Sequence, residues 1–447
     1  MIQFPRAVRS TQLAKHFVTP MALLAAAATM VSYGSVRGQT ATPPVAVGAP
    51  NTPAAEPNTA AAPPAASPPE APDYSGDLTG DWFGLRPKLQ EAGVTFGGTM
   101  ITDGSWDLSG GLATRSQAWR TLVNLDVSLD TQKLFGLPGG TIYADYAGFW
   151  GQSGNSTQVG ALQDFDYIDA VRFSTLYELY YDQKFGDLLE IRAGRQDAAD
   201  FFGEPPDAAD FINNSPTAFP PINGLLLYPI SAPGIVAVVD PNGPLTFKFG
   251  AYYFDRFHSS AFDQALNTLE PTSLPVGTSL ISELDYSWQF GKNRPGVVAA
   301  GGNWRTGHLP TPDGAVHSGG AALYSYLDQT LWTGGNGENI AGFIALGGGS
   351  PQVANSASVD LWSSAGLTGS GLIPARPQDQ LGLGYNWVHI SSQANLPKPY
   401  ELNFEGFYAF NCGYGITLQP DLQYFINTGG GVYPDALVAT IRLSLAF

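Results

Sequence analysis

Residues 436–447 read ALVATIRLSLAF and alternate between two kinds of side chain. One face carries Leu437, Ala439, Ile441, Leu443, Leu445 and Phe447, and the other carries Thr440, Arg442 and Ser444. A period of two predicts a β-strand. The apolar face predicts an apolar environment on one side of this strand, and the polar face predicts water on the other.

Three upstream segments repeat this pattern. Apolar and polar side chains alternate over residues 416–427, 401–410 and 120–129. The same period runs from Val94 onward and predicts an all-β domain over residues 94–447. A soluble antiparallel sandwich also shows such alternation, so the period alone leaves the solvent on the apolar side open.

Three further features favour a transmembrane barrel over a sandwich. Several segments approach the roughly 9 to 11 residues that a tilted strand needs to cross a bilayer. Aromatic residues such as Trp119, Trp150 and Tyr408 cluster toward strand ends, as at a membrane interface, and the chain ends on Phe447. About 354 residues follow Gly93, and roughly 22 residues per strand with its connection predict an antiparallel, water-filled barrel of about 16 strands.

The composition excludes several other classes of protein. The chain has 447 residues, 13% of them charged, with 53 Gly, one Cys and a formal net charge of −17. A single Cys excludes an internal disulfide framework. With 21 basic against 38 acidic residues, the chain repels phosphate, so a nucleic-acid partner is not expected.

The N-terminal region predicts export followed by a spacer. A basic start and an apolar run from Val18 to Val31 indicate a signal peptide over residues 1–38 rather than a membrane anchor. Its removal leaves 17 basic and 38 acidic residues, a net charge of −21. Residues 39–76 are rich in Pro and Ala and predict a disordered linker. Residues 77–93 predict a short amphipathic helix with Asp81 as its N-cap and Gly93 as its stop.

Eight short motifs, in one order, carry a resemblance to a known family. They are LTGDWFGLR (78–86), VNLDVSLD (123–130), LYELY (176–180), LEIRAGR (189–195), YPISAPG (228–234), GGGSP (347–351), GLIPARP (371–377) and LQPDLQY (418–424). Together they resemble the carbohydrate-selective porin family, the OprB family, over essentially all of residues 78–447. Phe83 is a departure, because the family more often has Gly there.

The resemblance implies a 16-stranded channel that passes glucose and related small sugars through the outer membrane of a Gram-negative bacterium. The expected partners are neutral sugars, outer-membrane lipid and, through Phe447 as an assembly signal, the barrel-assembly machinery. The linker is expected in the periplasm. The sequence leaves open whether the channel is a monomer or a homo-oligomer. A mildly cation-selective general diffusion porin without sugar specificity remains the alternative.

Alternation also predicts which side chains line the lumen. Over residues 172–182 we expect Arg172, Ser174, Glu178, Tyr180 and Asp182 to face inward and Phe173, Thr175, Tyr177, Leu179 and Tyr181 to face outward. Guanidinium and carboxylate groups can replace the water contacts of sugar hydroxyls. The candidate sugar contacts are Arg120, Glu178 and Arg192, followed by Asp126 and Arg115. For each of them, solvation or pairing with a neighbouring charge is the simpler interpretation.

The sequence offers little support for an enzyme. The five His are scattered without metal-like spacing, and no Gly-x-Ser-x-Gly elbow occurs. No catalytic residue, metal site or cofactor is therefore expected. A barrel hydrolase would need only one Ser, one His and an orienting group, so composition alone leaves that alternative open.

Overall fold

The computed structural model describes residues 74, 77–170, 172–217, 228, 231–254, 277–291, 293–310, 316–351 and 358–447. The predicted signal peptide (1–38) and nearly all of the predicted linker (39–76) lie outside these residues. Among the helices of the described ranges, none combines the length and the apolarity that a membrane span requires.

Sixteen antiparallel strands form a closed barrel in which each strand pairs with its neighbours in sequence and β1 pairs with β16. The strands are β1 (Val94–Ser109), β2 (Gln117–Asp130), β3 (Gly140–Gly151), β4 (Phe173–Phe185), β5 (Leu189–Gln196), β6 (Ala232–Val239), β7 (Leu245–Phe254), β8 (Gly277–Gln289), β9 (Pro295–Pro310), β10 (Val316–Thr333), β11 (Asn339–Gly349), β12 (Val359–Ser370), β13 (Gln380–Ile390), β14 (Tyr400–Gly413), β15 (Ile416–Ile426) and β16 (Ala436–Ala446). The prediction of an antiparallel barrel of about 16 strands is confirmed.

The helical elements of the described residues are all short. The α-helices are α1 (Leu85–Glu91), α2 (Thr131–Phe135) and α3 (Asn214–Thr217). Residues Thr428–Gly431 form a turn in which Gly429 and Gly430 have left-handed φ values of 62° and 68°. A π-helical turn spans Asn155–Val159, and 3₁₀ turns span Pro206–Ala208 and Ser392–Ala394.

The predicted alternation is visible as a difference in exposure between the two faces of each strand. On β16, Ile441 is 46% exposed on the outer face, whereas Arg442 beside it is 3% exposed and points into the barrel. On β15, Leu422 is 49% exposed and Gln423 is 1% exposed. The outer face is therefore apolar and suited to lipid, and the inner face carries the polar and charged groups.

The two ends of the barrel differ. Short connections join β2 to β3, β4 to β5 and every second pair thereafter, and we call this the short-turn end. The segment 77–93 and Phe447 also lie there, since Leu78 donates to the carbonyl of Ala446 at 3.0 Å. The longer connections, including those from β3 to β4 and from β5 to β6, leave the opposite, long-loop end.

A β-bulge in β4 corrects part of the predicted lumen. The pairing with β3 shifts between Asp145 and Tyr146, so Tyr177 and Glu178 both face inward. Beyond the bulge, Glu178, Tyr180 and Asp182 face inward as predicted. Before it, the predicted orientation is wrong. Phe173, Thr175 and Tyr177 are buried on the inner side, and Ser174 lies on the other face with Tyr146, because one extra residue inverts the alternation.

The N-terminal helix is shorter than predicted. It begins at Leu85, and the residue before it is Gly84, with φ of 80°. Trp82 and Phe83 also have positive φ, 53° and 59°. These left-handed residues cannot continue a right-handed helix back to Asp81. Asp81 is therefore not the N-cap, although its carbonyl accepts a hydrogen bond from the backbone N–H of Arg86 at 3.1 Å.

Candidate functional site

Two connections from the long-loop end fold into the barrel. The first inward loop, described over residues 152–170, reaches β14, where the Glu401 carboxylate accepts the backbone N–H groups of Leu162 at 3.0 Å and Gln163 at 2.9 Å. The second inward loop, described over residues 197–217, reaches the same strand and donates the N–H of Ile212 to Glu405. Both loops thus fold into the lumen and narrow it, and the second reaches the wall opposite its own strands.

The barrel closes where β1 pairs with β16, and we call this pairing the seam. Three charged side chains at or beside the seam hold the first inward loop. Asp103 of β1 lies in register with Arg442 of β16 on one side and with Arg120 of β2 on the other. Asp166 of the loop accepts hydrogen bonds from both arginines, through Arg120 Nε at 3.0 Å and Arg442 Nη2 at 3.0 Å. Asp169 pairs with Arg120 Nε at 2.9 Å. All five side chains are at most 4% exposed.

The charge state of Asp166 follows from these contacts. Burial alone would raise the pKa of Asp166, but the guanidinium groups of Arg120 and Arg442 lower it below its ordinary value. Burial raises the pKa of Asp169 to about 6, and Arg120 offsets only part of that increase. Asp166 is therefore ionised where it bridges the two arginines.

Glu178 and Arg192 hold the beginning of the second inward loop. The Glu178 carboxylate accepts the backbone N–H of Asp197 at 2.7 Å. Arg192 pairs with Asp182 of the wall at 3.3 Å and with Asp200 of the loop. The guanidinium carbon lies 4.0 Å from the Tyr180 ring centroid and 4.4 Å from that of Phe201. An arginine is thereby placed between aromatic faces, with carboxylates beside it.

Further along, the second inward loop is anchored through an aromatic contact with the far wall. Phe211 is 1% exposed and meets Phe343 and Phe407 edge to face, with centroid distances of 5.7 and 5.1 Å. Two wall glycines make room for this ring. A Cβ on Gly384 would lie 2.7 Å from Phe211 Cε1, and one on Gly366 would lie 2.9 Å from Phe211 Cζ.

Wall carboxylates also bind the backbone of this loop elsewhere. Glu283 accepts the N–H of Gly203 at 2.8 Å, and Asp328 accepts that of Asp207 at 2.8 Å. The Lys248 Nζ lies 2.6 Å from Glu283 Oε1. Much of the acidic lumen surface therefore satisfies loop N–H groups rather than facing water.

The family model for the carbohydrate-selective porins of the OprB family matches residues 118–447. The chain belongs to the OprB family. The resemblance seen in the sequence motifs is thus confirmed, and the family and fold place this barrel in the Gram-negative outer membrane. They also indicate a channel for small solutes rather than an enzyme.

Solved structures show the same fold. OprB of Pseudomonas putida, in a structure determined at high pH, aligns with a TM-score of 0.74 and 19% identity over 85% of this chain and 100% of that chain. OmpF of Salmonella typhi aligns with a TM-score of 0.51 and 8% identity over 80% of this chain and 99% of that chain. The porin AaxA of Chlamydia trachomatis is 35% identical over 92 residues, so the chain spans about a fifth of the length of this curated relative.

Within this OprB-family barrel, the five candidate contacts occupy four environments. Arg120 is enclosed beneath the first inward loop, and Glu178 and Arg192 lie against the second. Asp126 is half-buried on the inner face of β2, and its carboxylate lies over Gly97 of β1. Arg115 is exposed in the β1–β2 connection, with φ of 61°. The structure therefore brings Glu178 and Arg192 together and places the other three elsewhere.

Sequence reasoning missed the groups that position the loops. Asp166, Phe211, Glu401 and Glu405 were not among the candidates. The loop sequence 161–169, ALQDFDYID, offers one signal, because alternating acids and large apolar residues are unusual in a solvated loop. In the described residues, no group of three or more His, Cys, Asp or Glu is arranged to hold a metal ion.

Proposed function

We propose that this protein is an outer-membrane channel for the facilitated diffusion of glucose and related small sugars. The observation that carries the proposal is the environment of Arg192. This side chain is 14% exposed, so the lumen can reach it, and aromatic faces and carboxylates flank it. Such a site offers donors, acceptors and an apolar surface, which match the hydroxyls and the apolar ring face of a pyranose.

The other candidates have different proposed roles. Arg120 has a fully buried side chain, so it would affect sugar passage through the position of the first inward loop. Glu178 is 6% exposed and would act mainly through the loop N–H that it accepts. Asp126 and Arg115 are proposed to contribute charge to the path rather than a sugar contact. The mature net charge of −21 would give a mild cation preference at low salt.

The test is glucose block of single-channel current in planar bilayers. Arg192→Ala should raise ion conductance and weaken glucose block, because the forked donors disappear. Arg192→Lys is the matched control, since it keeps the charge but not the planar fork. It should preserve ion selectivity and still lose part of the block. Glu178→Gln should shift the cation preference with a smaller effect on sugar.

One outcome would favour the alternative function. If Arg192→Ala and Arg120→Ala channels both show the same glucose block as the parent channel, the two arginines only pair with neighbouring carboxylates. A mildly cation-selective general diffusion porin would then be the better description.

We further propose that Phe447 is the signal recognised by the barrel-assembly machinery. Its backbone N–H donates to the carbonyl of Gly98 at 3.0 Å, so the residue continues the β16–β1 seam. Phe447→Asp should lower the yield of folded barrel in the outer membrane while secretion to the periplasm continues. Phe447→Tyr, which keeps the aromatic ring, should assemble nearly normally. Heat-modifiable mobility of outer-membrane fractions measures the yield, and full assembly of Phe447→Asp would contradict the proposal.

The linker is proposed to lie in the periplasm. Outer-membrane barrels carry their short turns on the periplasmic side, and residue 77, which follows the linker, lies at the short-turn end. A protease site inserted into residues 39–73 should therefore be resistant to protease added to intact cells.

A further inference from the structure

The segment before α1 exposes apolar side chains in an unfavourable backbone conformation. Phe83 is fully exposed, and Trp82 and Phe83 both adopt left-handed φ values, which residues other than Gly rarely do. Leu78 and Leu85 are also exposed, at 41% and 52%. We call these four residues the aromatic edge. The left-handed backbone conformation is unfavourable in any solvent. The exposed apolar surface is unfavourable in water.

Arg86 fixes the aromatic edge to the seam of the barrel. The side chain is buried and donates to the Asp77 carboxylate at 2.7 Å, to the carbonyl of Phe96 at 3.0 Å and to the carbonyl of Phe447 at 2.9 Å. These acceptors belong to the N-terminal segment, the first strand and the C-terminal residue. The position of the aromatic edge is therefore set relative to both strands of the seam.

That position continues the lipid-facing surface of the barrel. The Trp82 ring lies 5.9 Å from the ring of Phe96, which is on the outer face of β1. The short-turn end carries other exposed aromatic side chains near the ends of strands, namely Phe185, Phe247, Phe290, Trp332 and Phe410. Aromatic residues at this level of a barrel form the girdle at the membrane interface. The aromatic edge extends this girdle beyond the sheet.

We propose that the segment 77–91 is an interfacial anchor whose partner is the phospholipid surface of the periplasmic leaflet. Trp82 and Phe83 lie at the boundary between headgroups and acyl chains, where aromatic rings are favoured, and Leu78 and Leu85 add apolar area. The exposed Lys88 of α1 can meet lipid phosphates. The anchor fixes the chain at the membrane where the linker ends and helps to hold the seam closed.

The test uses an environment-sensitive label. In a Cys412→Ser background, Phe83→Cys carries an NBD fluorophore, and the folded barrel is reconstituted into vesicles of phosphatidylethanolamine and phosphatidylglycerol. Asp187→Cys, at an exposed turn of the same end, is the matched control. The proposal expects blue-shifted emission at position 83 and quenching by lipids with a doxyl group near the headgroup that is at least about twofold stronger than at position 187.

Two outcomes would overturn the proposal. Emission and quenching at position 83 equal to those at position 187 would place the aromatic edge in water. Blue-shifted emission that is insensitive to doxyl lipid and lost on dilution of protein in the vesicles would assign this surface to a second copy of the chain. Leu85→Cys provides a second labelling site if the Phe83→Cys barrel fails to fold, and the same outcomes apply to it.

Discussion

Asp166→Asn should open the channel by releasing the first inward loop. The substitution removes the anion that Arg120 and Arg442 share, so Arg442 loses its partner in the loop and Arg120 keeps only Asp169 there. Breaking a buried ion pair in this way costs about 3–5 kcal/mol. We expect higher single-channel conductance and weaker glucose block, because the first inward loop no longer stays against the seam. Planar bilayer recordings with and without glucose measure both quantities.

A charge control separates loop release from a simple change in the electrostatic field. Asp187→Asn removes the same charge from an exposed turn and should leave conductance and glucose block near those of the parent channel. If Asp166→Asn behaves like this control, the Asp169–Arg120 pair and the hydrogen bonds from Leu162 and Gln163 to Glu401 hold the loop without Asp166. Arg120→Ala should release the loop at least as much as Asp166→Asn, since it removes the contacts of the wall with both Asp166 and Asp169.

The barrel itself could be predicted because the alternation of apolar and polar side chains is a local property of each strand. A strand between lipid and water needs a period of two, and residues 439–445 show it without interruption. Orientation follows from the same period, so Arg120, Glu178 and Arg192 were correctly placed on the inner face. The interpretation fails at Tyr177, where the extra residue of a β-bulge shifts the pairing with β3. That shift depends on a partner strand, which the local sequence does not reveal.

The constriction was much less predictable. Apart from the short alternation at residues 161–169, the two inward loops have no period. The wall binds them largely through backbone N–H groups, which every residue except proline possesses. Glu401 and Glu405 therefore look like ordinary lumen charges in the sequence. The role of Gly384 is similarly hidden, because the side chain that needs its space belongs to a loop more than 150 residues earlier. Arg120 was found as a lumen residue, but its position beneath a loop could not be read from alternation.

Gly384→Val should displace the second inward loop. A Cβ at this position would lie 2.7 Å from Phe211 Cε1 and 3.2 Å from the Ala365 carbonyl oxygen, so the phenyl ring must leave its site. Valine is favourable in a strand, and the barrel should still assemble. Without the contacts of Phe211 with Phe343 and Phe407, we expect the loop to detach from the far wall, conductance to rise and glucose block to fall.

Phe211→Ala should also detach the second inward loop from the far wall, but by removing side-chain volume instead of adding it. Removing a buried phenyl ring costs about 3–5 kcal/mol of packing free energy. Here that loss weakens the attachment of the second inward loop to the far wall. Both single variants should therefore increase conductance, and protease should cut residues 197–217 faster than in the parent barrel. Gly406→Val is the matched control, because that glycine of β14 faces Leu383 on the lipid side. It should change neither the current nor the cleavage.

The double variant isolates the contact between the two residues. If valine at position 384 acts by clashing with Phe211, it should have little additional effect once Phe211 is alanine, since the clashing atoms are gone. The two effects on conductance should then be strongly non-additive. Additive effects would mean that Gly384→Val perturbs the wall by itself, and the aromatic anchor would not be what holds the second inward loop across the lumen.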